Sequence, residues 1–176
     1  MRGPLALGKN RVRSVVVTVI KNGAFFVPSF IEHYFSLGVD HMVLLDNASQ
    51  DHTLDLVPQD QKITVLQTDL SLRGSNKMEV ALKDYLLQHY GTGRWCLCAD
   101  MDEHFRHPYA DDLTFSDFLD YLDEHRYTAV VSQMLDMLPE KPYAKSHEPS
   151  LRELRDSYYF YDNSGPQGGQ MAASRR

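Results

Sequence analysis

From Val15 to Ile20 the chain is an apolar, β-branched run broken only by Thr18, a pattern that predicts a strand buried on both faces. Val27, Phe30, Ile31, Tyr34 and Leu37 then recur at three- and four-residue spacing, which predicts an amphipathic helix with Pro28 in its first turn and Gly38 at its end. A second strand is predicted over His41–Asp46, followed by a polar loop from Asn47 to Thr53 and a short helix near Leu54–Val57 that Pro58 stops. Ile63–Thr68 reads as a third strand. After a loop through Arg73-Gly74-Ser75-Asn76, Met78, Leu82, Tyr85, Leu86 and His89 fall on one helical face. Gly91-Thr92-Gly93 turns the chain into a fourth strand at Trp95, and Thr114 is placed to cap a helix carrying Phe115, Phe118, Leu119 and Leu122. Thr128–Met134 reads as a fifth strand. Periodicity fades beyond Leu138, and the Gly- and Ser-rich tail from Asn163 to Arg176 is expected to be disordered.

Strands alternating with helices define an α/β protein built on a mainly parallel, Rossmann-like sheet with helices on both faces. The expected division is one domain over 14–145 and a partly ordered to disordered tail over 146–176. A chain of 176 residues suffices for one core, burying roughly 70% of the surface of the unfolded chain.

Charge narrows the partners. A net charge of −6 argues against nucleic acid, whose phosphate backbone calls for clustered Lys and Arg. Any phosphate met by this protein is expected on a small molecule. The apolar run after the basic start is too short for a signal peptide, and no segment reaches the ~20 apolar residues of a membrane span. Cys96 and Cys98, one residue apart, are read as buried thiols in a reducing compartment. The expected location is the cytoplasm, with peripheral attachment to the inner membrane face as an extension of that reading.

Candidate chemistry gathers where the strands should end, the place where open parallel sheets bind ligands. The first strand ends at Lys21-Asn22-Gly23, the second at Asp46-Asn47, the third at Asp69 and the fourth at Asp100-Met101-Asp102-Glu103. On an extended chain Asp100 and Asp102 share a face, and their repulsion of roughly 2–3 kcal/mol at an effective dielectric of about 20 calls for a cation between or beside them. Mg²⁺ or Mn²⁺ suits such oxygen ligands; a solvated acidic turn is the plain alternative. Asp46 can accept from a ribose hydroxyl or a base imide, or simply form a turn with Asn47. Arg73 or Lys77 could meet a diphosphate at the start of the following helix. His104 and His107 flank the acidic cluster in a loop, where either could ligate a metal, although exposure is the ordinary fate of a loop histidine.

Val19-Ile20-Lys21-Asn22, Phe30-Ile31-Glu32-His33 with Leu37-Gly38-Val39-Asp40-His41, Asp46-Asn47-Ala48-Ser49-Gln50-Asp51-His52-Thr53 and Asp100-Met101-Asp102-Glu103 occur in the order found in bacterial family 2 glycosyltransferases, which the chain resembles over roughly Ser14–Tyr143. The subgroup has a V-K-N-E start, a W-I-x-H-x-x-x-L-G-V-D-H helix end, a D-N-x-S-x-D-G-T loop and a D-x-D-E-F motif. The resemblance implies a GT-A-type fold, a UDP- or GDP-type nucleotide-sugar donor, a glycan or other acceptor hydroxyl, and a divalent metal. Carried over, Asp46 resembles the base-contacting carboxylate, Asp100 the one near the ribose, and Asp102 the one that binds metal and diphosphate. The expected donor-contacting residues are therefore Asn22, Asp46, Arg73, Lys77 and Asp100, with Asp102 and Asp100 as metal ligands. Gly23, His52 and His104 depart from the pattern, standing where the subgroup has Glu, Gly and Phe. The acceptor-binding half is expected to be missing, as in a truncated or frame-shifted product.

No general base is identifiable. Glu103 is expected to point away from Asp102, and Asp136 is the only later carboxylate in a family-like segment. Two other classes stay open: a nucleotidyltransferase, which calls for a Gly-rich basic loop after the first strand, and a non-catalytic nucleotide-binding remnant.

Overall fold

The structure is a computed structural model, and it describes residues 1–4, 6–8, 12–70, 76–139, 158–162 and 171–173 of the chain. Two compact units emerge, Met1–Tyr127 and Thr128–Arg176. The first is built in the order β1 (Ser14–Ile20), α1 (Val27–Leu37), β2 (His41–Asn47), β3 (Ile63–Thr68), α2 (Asn76–Leu86), a π-helical turn (Leu87–Gly91), β4 (Trp95–Cys98) and α3 (Phe115–Glu124). Its four strands are all parallel and lie in the spatial order β3-β2-β1-β4. The chain leaves β1 toward β2 and β3, then returns across the sheet to β4. The strand order therefore reverses between β1 and β4.

Alternation along β1 sends its side chains into two cores. Val16 and Ile20 pack with Met42, Leu44, Val65 and Ala99 beneath Phe30, Ile31 and Tyr34 of α1 and Phe115, Leu119 and Leu122 of α3. Val15 and Val17 pack on the other face with Val43, Leu45 and Leu66 beneath Leu82, Leu86 and Tyr90. Helices thus cover both faces, as the continuous apolar runs require. The helix termini follow their sequence signals: Gly38 adopts φ 103° and its N–H and that of Val39 reach the Phe35 and Tyr34 carbonyls, while Thr114 and Asp117 form a reciprocal capping box.

Asp40 clamps the other end of the sheet. Its Oδ2 accepts the Arg13 and Ser14 N–H groups at 2.9 Å each, and Arg13 reaches on to Asp120 and Asp123 of α3 at 2.6 and 2.7 Å.

Four expectations are corrected. Thr128–Met134 is not a fifth strand, and its residues are exposed. Handedness gives the reason: α3 lies on the same face as α1, so a parallel strand added outside β4 through α3 would need a left-handed crossover. Leu54–Val57 forms a turn rather than a helix, with the Asp55 and Leu56 N–H groups both reaching the His52 carbonyl. On α2, Tyr85 is 44% exposed and Tyr90 takes the buried place, because the π-helical turn widens the helix after Leu86. Within the tail, Met171–Ala173 forms a strand.

The second unit contains a three-stranded antiparallel sheet of β5 (Met137–Pro139), β6 (Tyr158–Asp162) and β7 (Met171–Ala173), in that spatial order. The remainder of the expected disordered tail lies outside the described residues.

Candidate functional site

A cleft of ≈ 300 Å³ opens at the carboxyl ends of β1 and β4, the reversal point at which doubly wound sheets take ligands. Val19, Ile20, Lys21, Asn22 and Gly23 line it from β1 and its exit, Phe26 from the start of α1, Glu79 from α2, and Asp100, Met101 and Asp102 from the exit of β4. Its acidic residues come from two separate chain segments.

The Asp-x-Asp segment is not extended, contrary to the alternation expected for it. β4 ends at Cys98, and Asp100–Glu103 closes a turn in which the Glu103 N–H donates to the Asp100 carbonyl at 3.0 Å. Met101 turns into the core at 9% exposure, while Asp102 stands in solvent. The Glu103 carboxylate folds back and accepts the Asp100 N–H at 2.9 Å. Its task is to hold the turn. Tyr34 braces the next residues: its hydroxyl donates to the Glu103 carbonyl at 3.1 Å and accepts the Phe105 N–H at 3.3 Å.

A cation does stand beside Asp100, and the chain itself supplies it. Lys83 Nζ lies 2.8 Å from Asp100 Oδ1 and 2.9 Å from Glu79 Oε1. Partial burial opposes its charge, but the hydrogen bonds and charges of Asp100 and Glu79 outweigh burial and raise the Lys83 pKa. Neither Lys83 nor Glu79 was singled out from the sequence. The available signal was their i,i+4 spacing, with Glu ahead of Lys on one helix face.

The exits of β1 and β2 are tied together. The Asn22 N–H donates to Ser49 Oγ, and Asn22 Oδ1 accepts the Gln50 N–H, each at 2.8 Å. Asp51 accepts the Ala24 N–H at 3.2 Å and the Thr53 N–H at 3.0 Å, and pairs with the Thr53 hydroxyl. Asn22 and Ala48 both adopt the left-handed conformation, at φ 50° and 51°. Such strain collects at sites whose surroundings over-determine the backbone.

The expected site residues are only partly brought together. Asn22, Asp100 and Asp102 share the cleft. Asp46, the penultimate residue of β2, is almost fully buried at 1% exposure; Oδ2 accepts the Ser49 N–H at 3.3 Å, whereas Oδ1 is buried without a hydrogen-bond partner. Asp46 is absent from the lining. Lys77 is exposed on α2, which offers Glu79 to the cleft instead. Arg73 lies outside the described residues.

His107 is buried at 3% exposure, donates through Nδ1 to the Pro108 carbonyl at 2.9 Å and stacks on Phe118, so it is a packing residue and not an exposed loop histidine. His104 stacks on His33 with ring centres 4.4 Å apart. Cys96 is only partly buried, packed against the second core, and Cys98 is exposed, so the expectation of two buried thiols is corrected. Burial, with the neighbouring Cys98, pushes the Cys96 thiol up to about 12.

Among the described residues no group of three or more His, Cys, Asp or Glu side chains is arranged to hold a metal ion. Asp100 and Asp102 give the cleft oxygen donors of the type that Mg²⁺ and Mn²⁺ take, ions that commonly bind one or two protein carboxylates beside water and substrate phosphate, although Asp100 Oδ1 is already paired with Lys83. No described helix is long and apolar enough to cross a membrane. Comparison of the chain with protein-family models, with curated proteins and with solved structures finds no match.

Proposed function

We propose that this chain is the nucleotide-binding part of a metal-dependent glycosyltransferase resembling family 2, acting on a nucleotide-sugar donor and an acceptor hydroxyl. One observation carries the reading: the cleft at the β1/β4 reversal point of a parallel sheet is lined by Asp100 and Asp102, with the exit of β1 opposite. Asp46 Oδ1, one strand away, is the acceptor that the resemblance assigns to the imide N–H of a uracil- or guanine-type base, but it is buried and absent from the lining of the cleft, so the cleft residues carry the reading without it. Asp102, exposed at the tip of its turn, and Asp100 would hold Mn²⁺ or Mg²⁺. Bound there, the cation would supply positive charge against a departing nucleoside diphosphate. The chain's own part is orientation: Glu103 and Tyr34 hold the acidic turn, and the Asn22–Ser49–Gln50 clamp shapes the facing wall.

Titration calorimetry with UDP and GDP in the presence of Mn²⁺ tests this. Binding that needs the metal and weakens by about tenfold or more in Asp102→Asn is expected, about 1.4 kcal/mol. Unchanged binding in that variant removes Asp102 from the site.

The Lys83–Asp100 pair favours one second reading, a non-catalytic domain that binds nucleotide with its own lysine as counter-ion. Sugar transfer or donor hydrolysis by the 176-residue chain would reject it.

A further inference from the structure

Lys21 is the only cation among the described residues that line the cleft, whose lining also carries Glu79, Asp100 and Asp102. Its Nζ donates to Asn47 Oδ1 at 3.3 Å. Asn47 is 1% exposed, and its Nδ2 donates to the Leu70 carbonyl at 2.7 Å. That second bond decides which way the amide points, because only its oxygen can then face Lys21. A fixed, buried amide thus tethers the lysine head.

The contrast with Lys83 is chemical. Lys83 is held by two carboxylates and has its charge matched. Lys21 is held by a neutral amide and has no carboxylate within salt-bridge distance among the described residues. A tether to a neutral acceptor uses one of three ammonium donors, leaves the charge uncompensated and keeps the remaining donors in the cleft. Lys21 is itself exposed, and this one tether is what distinguishes it from an ordinary solvated surface lysine.

We propose that Lys21 is an anion-binding residue of the cleft that takes a terminal oxygen of a diphosphate group, and that Asn47 is the positioning residue that aims it. This deepens the nucleotide reading above and rests on it only for what the diphosphate is attached to. Lysine serves phosphate as a point charge, and a hydrogen bond to a charged partner is among the stronger single contacts available. Lys83 already offsets part of the charge of Glu79 and Asp100, and Lys21 adds a second, uncompensated positive charge to a cleft whose remaining charged lining is acidic. Asn47 sits on β2 and Lys21 at the exit of β1, so the parallel pairing of those strands, which ends in the Ile20–Asp46 register, sets the distance between them.

The test is calorimetry with inorganic pyrophosphate, UDP and uridine, each with Mn²⁺, on the full chain, with melting temperature as the check on folding. Wild type should bind pyrophosphate, Lys21→Gln should lose about ten- to a hundredfold, and Lys21→Arg should recover part of that loss. Asn47→Ser should weaken pyrophosphate binding in the wild-type background and add nothing in Lys21→Gln. Equal pyrophosphate binding by wild type and Lys21→Gln would overturn the assignment of Lys21. Equal losses from Asn47→Ser in both backgrounds would overturn the positioning role of Asn47, and the Lys21 variants decide the rest if Asn47→Ser does not fold. Lys21-dependent binding of pyrophosphate with UDP held no more tightly would keep the anion site and reject the nucleotide reading. Tighter binding of UDP that Lys21→Gln weakens supports both, and no binding of either ligand by wild type rejects both.

Discussion

Lys83 Nζ and Asp100 Oδ1 lie 2.8 Å apart, so the carboxylate that the Asp-x-Asp pattern offers to a metal already has a cation of the protein's own. The two cations compete for one oxygen pair. Removing the lysine should therefore help the metal while costing the fold little, because the side chains are 24% and 49% exposed and such pairs contribute about 0–1 kcal/mol. Lys83→Met is expected to tighten Mn²⁺ binding several-fold, read by electron paramagnetic resonance of free Mn²⁺, with at most a small drop in melting temperature. Weaker Mn²⁺ binding in Lys83→Met would mean that Lys83 organises the site instead of competing for it.

Asp46 carries a different conflict, between stability and binding. A buried carboxylate oxygen without a partner costs free energy, and a neutral amide of the same shape costs less. Asp46→Asn is expected to stabilise the chain by about 1 kcal/mol in urea denaturation. If Oδ1 serves a base imide, the same change should weaken UDP relative to pyrophosphate. A variant that is less stable and binds UDP normally would show that the carboxylate is there for its loop alone.

Acid should find its first target far from the cleft. His41 is 3% exposed, and its Nε2–H donates at 2.9 Å to Thr64 Oγ1, whose own proton goes to the Pro4 carbonyl. Burial, with Arg94 adding to it, pulls the His41 pKa from 6.5 to about 4. Above pH 6.5 both folded and unfolded forms are neutral here, and stability is unaffected. As pH falls from 6.5 to about 4 the unfolded chain takes up the proton and the folded one does not, so stability should fall by roughly 3 kcal/mol. The Asp51, Asp117 and Asp123 pKa values are lowered, each chiefly by a side-chain hydrogen bond, and their contributions are lost only at lower pH. His41→Gln, which keeps an N–H donor, should flatten the pH 4–6.5 limb of a urea-stability profile. A limb of unchanged slope would assign it to other groups.

The parallel sheet and its helices were legible because their signals are local and redundant. The β-branched run of β1, the three- and four-residue spacing of α1 and the Thr114–Asp117 cap each speak within a dozen residues. The fifth strand failed because joining the sheet depends on which face α3 covers, a property of the whole topology that the apolar run Thr128–Met134 does not encode. The acidic triplet was found at the right rim, but its geometry was misread: a hydrogen-bonded turn closed by Glu103 replaces the extended strand. Lys83 and Glu79 escaped notice because an i,i+4 ion pair on a helix looks like ordinary surface chemistry until β4 brings Asp100 against it.

The clamp between the β1 and β2 exits separates two roles for one residue. Asn22 contributes both a left-handed backbone, at φ 50°, and a side-chain acceptor for the Gln50 N–H. Alanine removes the acceptor and keeps the steric cost of the left-handed region, roughly 1–2 kcal/mol. Glycine removes the acceptor alone, against which its greater freedom in the unfolded chain must be set. Asn22→Ala is therefore expected to destabilise the chain by about 1–3 kcal/mol and Asn22→Gly by less, measured by urea denaturation. Because Asn22 also lines the cleft, the two variants should loosen ligand binding in the same order. Equal destabilisation by alanine and glycine would show that the left-handed conformation costs alanine no more than glycine's added freedom in the unfolded chain costs glycine, against the expected order.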